Sequence, residues 1–336
     1  MSQIIDMHVH FGAPSDPDSG CYWSKEFEKT AAYLAMQMVT RSLFQKMDIG
    51  RIKSHLLKQI HSSQYVNKAV FLALDEVYDL NGLLHREWTH LYVPNSFLAS
   101  LADSDDRLLF ACSVHPYRQD WEERIDQSIR NKTVMCKWIP SSQQIDPGHE
   151  KCLPLYRKLA DYRLPLLCHT GPEYAIPTSN DSYNKFNNPR HLRRALDEGV
   201  RVIIAHCALP YFWFLDTDYQ ADFDEFLGMM EEADKKGWQL YTDVSAIATP
   251  LRAPYIEKVL QNVPAERILF GSDYPIPLSE FTYNRRRNFW SWLKFLIKTM
   301  SIRNSLDKNY LIIKEMGFDN RIFTNAHHLF AQIKYE

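Results

Sequence analysis

Eight short apolar runs, most of them ending at a polar residue and followed by a helical pattern, constrain this chain more than any other feature. They cover roughly residues 4–11, 67–75, 107–114, 133–139, 164–169, 201–206, 238–245 and 267–272, and they are rich in β-branched and aromatic side chains. Near-continuous apolar runs of this length suit strands buried on both faces. Between them, PLYRKLADYR (154–163), NPRHLRRALDEGV (188–200), DFDEFLGMMEEADKKG (222–237) and PYIEKVLQNVP (254–264) carry apolar residues at three- and four-residue spacing, and several stop at Gly or Pro. Alternation of strand and helix predicts parallel pairing, and eight repeats predict closure into an α/β (β/α)8 TIM barrel rather than an open sheet. No linker rich in Gly, Ser or Pro divides the chain, so residues 1–336 are expected to form a single domain.

Two connections exceed what a barrel needs. The first, about 12–66, opens with the turn-rich GAPSDPDSG and then turns helical, with Phe27, Leu34, Met38, Leu43 and Met47 forming an apolar face. The second, about 276–320, carries the aromatic and basic stretch FTYNRRRNFWSWLKFL. Both leave the carboxyl ends of strands, where barrel enzymes build their sites, and both are expected to cap a pocket and select its occupant.

The net charge of −2 leaves no global electrostatic footprint for nucleic acid or an anionic membrane, and neither partner is expected. No run of about 18 apolar residues predicts a membrane span. The start, MSQIIDMHVH, enters a strand without a basic and then apolar leader pattern, so a cytoplasmic location is the expectation. The six cysteines form no C-x-x-C pair and lie mostly within apolar runs, as reduced packing residues do. Cys136, Cys168 and Cys207 adjoin candidate site residues but should face the other side of their strands.

The candidate site residues are the polar groups at those strand ends: His8 and His10 on the first run, Lys137 on the fourth, His169 on the fifth, His206 on the sixth and Asp273 after the eighth. His8 and His10 are two apart, so both face one side of a strand and can bind one ion together. An H-x-H pair alone is more often coincidence. Its meaning changes when two further histidines and an aspartate converge on the same rim, because buried groups of that kind without a cation would be left unsatisfied. Other polar residues have quieter readings. His115 lines the pocket or serves structure beside Pro116. Asp243, ending the seventh run, either orients a metal-bound histidine or satisfies loop amides. Arg285, Arg286 and Arg287 either grip a substrate carboxylate or form a solvated face. His327 and His328 are expected to be structural, and Trp138 should point outward against helices.

In this order the residues resemble the amidohydrolase superfamily of metal-dependent TIM-barrel hydrolases, and more closely its amidohydrolase-related branch of hydrolases and decarboxylases. The matching phrases are IIDMHVHFG, VPNSFLASLADSDDRLLFACSVHP, KWIPSSQQIDP, LPLLCHTG, VIIAHCA, RILFGSDYP and NAHHLF, which span nearly the whole chain. The resemblance implies that His8, His10, His169 and Asp273 hold a divalent ion, with zinc the first choice and manganese, iron or cobalt accepted by the same donors. It also implies that His206 is an acid or base in a one-ion site and a ligand in a two-ion site. Lys137 separates the two, since two-ion members carbamylate the strand-four lysine. One ion is favoured, with an uncarbamylated Lys137 pairing with a substrate carboxylate or with Glu173. Asp273 would both hold the ion and shuttle a proton.

The leading expectation is a metal-dependent hydrolase acting on an amide, lactone or ester-like bond of a small-molecule substrate. A non-oxidative decarboxylase of a carboxylated ring, using the same ligands, is the rival. A TatD-like nuclease ranks low, because it calls for a strand-four glutamate and a basic groove. A metal-binding scaffold without chemistry has no need of both His206 and Asp273 at an open site. The aromatic stretch around Phe289, Trp290 and Trp292 fits either a lid or a homodimer interface.

Overall fold

The computed structural model describes residues 2–40, 42, 47–211, 220–249, 251–276 and 289–335. Eight parallel strands follow one another in chain order: β1 (Ile5–His10), β2 (Lys68–Leu72), β3 (Leu108–Cys112), β4 (Met135–Trp138), β5 (Leu166–Cys168), β6 (Val202–Ile204), β7 (Leu240–Asp243) and β8 (Ile268–Leu269). Each pairs with its sequence neighbour, as in Cys136 against Leu166, Leu166 against Val202 and Val202 against Leu240. The backbone beyond β8 closes the ring on β1: Met7 N–H donates to Phe270 O at 3.1 Å, Asp273 N–H to His8 O at 2.9 Å and His10 N–H to Tyr274 O at 2.9 Å. The expected (β/α)8 barrel is formed.

The outer layer contains the predicted helices, among them α5 (Leu153–Asp161), α6 (Arg193–Asp197), α7 (Gln220–Lys236) and α8 (Ile256–Asn262). In chain order they follow α1 (Ala31–Val39), α2 (Ile49–Ser62), α3 (Asn95–Asp103) and α4 (Trp121–Arg130). The pattern over 188–200 divides into a 3-10 turn, Pro189–Leu192, and the short α6, because Pro189 starts the turn and Gly199 ends the segment at φ 82°. After β8 come α9 (Phe289–Met300), α10 (Ser305–Glu315) and α11 (Ile322–Phe330). In the NAHHLF phrase, Asn325 Nδ2 donates to Ala265 O and Ile268 O at 2.8 Å and so ties α11 to the start of β8. No described helix is long and apolar enough to cross a membrane.

The connection after β1 differs from its expected single apolar face. Tyr22–Trp23 pairs with Leu91–Tyr92 as a small antiparallel ribbon, and Thr30 caps α1 by accepting from Tyr33 N–H at 3.2 Å. Phe27 and Met47 are buried, but Leu34 and Met38 are 48% and 46% exposed, because both face a cavity over the barrel mouth. Leu43 and Arg285 to Arg287 lie outside the described residues. Phe289 and Trp290 are exposed.

Candidate metal centre and cavity

The site forms where the carboxyl ends of the strands meet. Between the pairs Asp6–Ala69 and Val9–Phe71, two residues of β1, Met7 and His8, stand against one of β2, Val70, and this irregularity includes His8. There His8 Nδ1–H donates to Asp243 Oδ2 at 2.7 Å, which leaves its Nε2 with a lone pair. That Nε2 lies 3.2 Å from His10 Nε2 and 3.5 Å from Asp273 Oδ1, and His10 Nε2 lies 3.1 Å from the same oxygen. Burial, then the Lys137 charge, pushes His8 down to about 4, so the imidazole is neutral at pH 7. Two imidazole nitrogens and a carboxylate oxygen therefore converge with too few protons between them. The conflict is the one a divalent cation resolves, and the donor set fits such an ion.

Asp243 takes both roles open to it. Oδ2 orients His8, while Oδ1 accepts from His206 N–H at 2.9 Å and Ser245 N–H at 3.2 Å. The second role explains an unusual backbone. His206, Cys207 and Ala208 have φ of 58°, 55° and 51°, and Asp273 has φ of 60°, conformations that cost non-glycine residues on the order of 1–3 kcal/mol each. The Asp243 carboxylate and Thr242 Oγ1, which accepts from Cys207 N–H at 3.1 Å, hold the His206 turn in place. Burial opposes the charged forms of Asp243 and Asp273, but the surrounding histidines outweigh it and keep both carboxyls below their usual range.

Of the expected ligands, His8, His10 and Asp273 are gathered, with ligand atoms within 4.8 Å of one another; His8, His206 and Asp243 form a second group of the same size. His169 joins neither. Its ring stands 5.3 Å from that of His206, and its Nε2 faces Glu173 Oε2 and Pro172 O, both at 3.3 Å. His206 is fully buried and held well below its usual range by burial, with Nδ1 facing Ser245 Oγ at 2.7 Å and Ser245 O at 3.2 Å. Lys137 does not pair with Glu173. Its Nζ is buried without a hydrogen-bond partner among the described residues, and burial lowers its pKa. Glu173 instead accepts from Ala175 and Ile176 N–H at 2.5 and 2.9 Å.

Beside the site opens a cavity of about 440 Å³, lined by His10, His169, His206 and Asp273 and walled largely by apolar side chains. His115 is structural: it is fully buried, and its ring Nε2 pairs with Gln143 O at 2.8 Å. Trp138 turns outward from the barrel, with its ring 5.7 Å from Tyr156 on α5. His328 meets Ser2 far from the rim. Sequence reasoning passed over Ser245, two residues past the Asp243 end of β7, and Arg252, which no local pattern distinguishes.

A model of the amidohydrolase family matches residues 5–294. The chain belongs to the amidohydrolase family. Solved structures agree on the architecture. An uncharacterised TIM-barrel protein from Bordetella bronchiseptica aligns at TM-score 0.56 and 16% identity, over 98% of this chain and 99% of that one. A putative 2-pyrone-4,6-dicarboxylic acid hydrolase from Pseudomonas putida aligns at TM-score 0.57 and 14% identity, over 99% and 98%. A 5-carboxyvanillate decarboxylase from Sphingomonas paucimobilis gives TM-score 0.51 and 12% identity, over 96% and 99%. At these identities the likeness concerns the fold. No curated protein matches the chain.

Proposed function

We propose that this amidohydrolase is a metal-dependent hydrolase of a small molecule carrying an amide, lactone or ester-like bond. The observation that carries the reading is the convergence of His8 Nε2, His10 Nε2 and Asp273 Oδ1 at the mouth of an apolar cavity. These three would hold one divalent ion, zinc by preference, with His206 beside them and Lys137 uncarbamylated. A bound ion supplies Lewis acidity, lowering the pKa of a water in its shell from about 15.7 towards 7. Asp273 turns Oδ1 to His8 and His10 and leaves Oδ2 4.0 Å from His206 Nδ1. It can therefore accept the proton of the attacking water at Oδ2 and return it to the leaving group. Neutral His206 polarises the scissile carbonyl or holds the leaving group, and the apolar walls exclude bulk water.

Elemental analysis of purified protein, before and after metal reconstitution, should give about one ion per chain. About two would instead require a carbamylated Lys137 with His206 as ligand. Turnover of a lactone and ester panel should release protons in a pH-stat and turnover of amides should release free amine, and CO₂ release from carboxylated rings would replace hydrolysis by decarboxylation. Asp273→Asn should lower turnover at least 100-fold, within the range ascribed to general acid–base catalysis. Full turnover and full metal content in that variant would rule out the proton-carrier role.

A further inference from the structure

The connection after β8 carries a surface that the proposed chemistry does not use. In α9, Phe295 and Thr299 are buried against the body of the protein, and the helix contacts α10. Successive residues of an α-helix are turned by about 100°, so Trp290, Leu293, Ile297 and Met300 fall within an arc of about 80°. That arc faces solvent: Trp290, Ile297 and Met300 are 70%, 63% and 67% exposed, and Phe289 at its edge is 61% exposed. A lone exposed apolar side chain is ordinary, whereas a contiguous row of large ones marks a surface that meets something.

The charges beside the row narrow the choice. Lys294 and Lys298 are exposed and follow the apolar arc on one flank, at about 40° and 80° from Trp290. No acidic side chain answers them on α9, and from Phe281 to Leu306 the sequence contains Arg285, Arg286, Arg287, Lys294, Lys298 and Arg303 but no aspartate or glutamate. The net charge of −2, which by itself gives no sign of an anionic partner, averages over a chain whose positive charge is concentrated here. A second copy docked through α9 would set these lysines against no acid of the paired helix, and lysine is depleted at protein–protein interfaces. An anionic bilayer surface meets every feature. Acyl chains take the apolar row, Phe289 and Trp290 suit the headgroup boundary, and each lysine lays its stem along the row and carries its ammonium out to the phosphates. With 12 residues α9 is about 18 Å long, well short of the roughly 30 Å hydrocarbon core, so it lies in the interface rather than crossing it.

We propose that α9 is a peripheral membrane-docking element, seating the barrel on an anionic lipid surface through Trp290, Leu293, Ile297 and Met300, with Lys294 and Lys298 on the headgroups. The docking uses no residue of the metal centre or of the cavity and does not require the ion.

Co-sedimentation of the full-length protein with vesicles of phosphatidylcholine, alone or with about a third phosphatidylserine, tests this. The protein should pellet with the mixed vesicles, with or without chelator, and should be released as salt is raised, because screening removes the attraction of the lysines. Lys294→Gln combined with Lys298→Gln should weaken partitioning to the mixed vesicles roughly 30-fold, about fivefold for each charge removed. Trp290→Ser combined with Ile297→Ser should weaken it at least about tenfold at any salt concentration. An unchanged melting temperature shows that each variant is folded; should the serine pair fail to fold, the glutamine pair, which alters surface charge alone, is read by itself. The proposal is overturned if the protein does not bind the mixed vesicles, if it binds phosphatidylcholine alone equally well, or if the folded variants bind as the wild type does. Sedimentation equilibrium reads the rival occupant: a dimer that the serine pair dissociates assigns this face to a second copy and likewise overturns the membrane reading.

Discussion

Gly271, in the FGSD segment just past β8, packs closely against His8 of the candidate metal centre. A methyl group placed on its Cα would lie 2.7 Å from His8 Cβ, 3.3 Å from Ser245 Cβ and 3.4 Å from His8 N. Its φ is not in the left-handed region, so the penalty of Gly271→Ala is steric rather than conformational. Restoring ordinary contact requires the two strands to separate by about 0.7 Å, the gap between 2.7 and 3.4 Å. Neither side yields easily: His8 O accepts from Asp273 N–H, and His8 Nδ1 is held by Asp243. Overpacking of this kind costs about 2 kcal/mol. For 336 residues the unfolding entropy is about 0.7 kcal/mol per degree, so the melting temperature should fall by about 3 °C. Displacing His8 also moves Nε2 from its position beside His10 and Asp273, and metal affinity should drop at least tenfold. Gly228, inside α7, is the control. A Cβ there meets nothing within 4 Å, and Gly228→Ala should stabilise by about 0.5–1 kcal/mol through helix propensity, raising the melting temperature by about 1 °C. Calorimetry and chelator competition on the two variants read both effects. A Gly271→Ala protein with wild-type melting and metal affinity would refute the close approach of the segment after β8 to His8.

Three further outcomes follow from the same geometry. Asp243→Asn removes the acceptor that fixes the His8 tautomer, and chelator competition should show metal affinity falling 10- to 100-fold; an unchanged affinity would detach Asp243 from the site. Asp222 is pushed up to about 6 by burial, despite the 2.5 Å bond it accepts from Asn188 Nδ2. The folded state therefore binds the extra proton, so the contribution of Asp222 to stability should fall as pH rises from about 4 to 6, by no more than about 3 kcal/mol. Asp222→Asn should remove that share of the slope in denaturant titrations, and a slope identical to wild type would exclude the assignment.

The barrel was legible in the sequence because its cause is local. Strands buried on both faces need continuous apolar runs, and strand–helix alternation leaves few arrangements other than parallel closure. His8, His10, His206, Asp243 and Asp273 were legible for a related reason: each sits at or just past a strand end, and parallel strands bring all their ends to one rim. Where each side chain turns from there depends on neighbours remote in sequence. His169 faces Glu173 rather than the His8–His10–Asp273 group, and Lys137 lacks its expected partner because the Glu173 carboxylate is taken by loop amides. The half-exposure of Leu34 and Met38 exists only because α1 is carried over the barrel mouth. Arg252 had no signal at all, since an arginine in a loop is ordinarily solvated and only the packing of the segments after β6 and β7 buries it at the cavity. Periodicity thus determined the scaffold and which residues could meet, whereas the tertiary structure decided which polar groups are paired and which are left to bind something else. Pairing depends on distances of a few tenths of an ångström between segments far apart in the chain, and no local pattern encodes them.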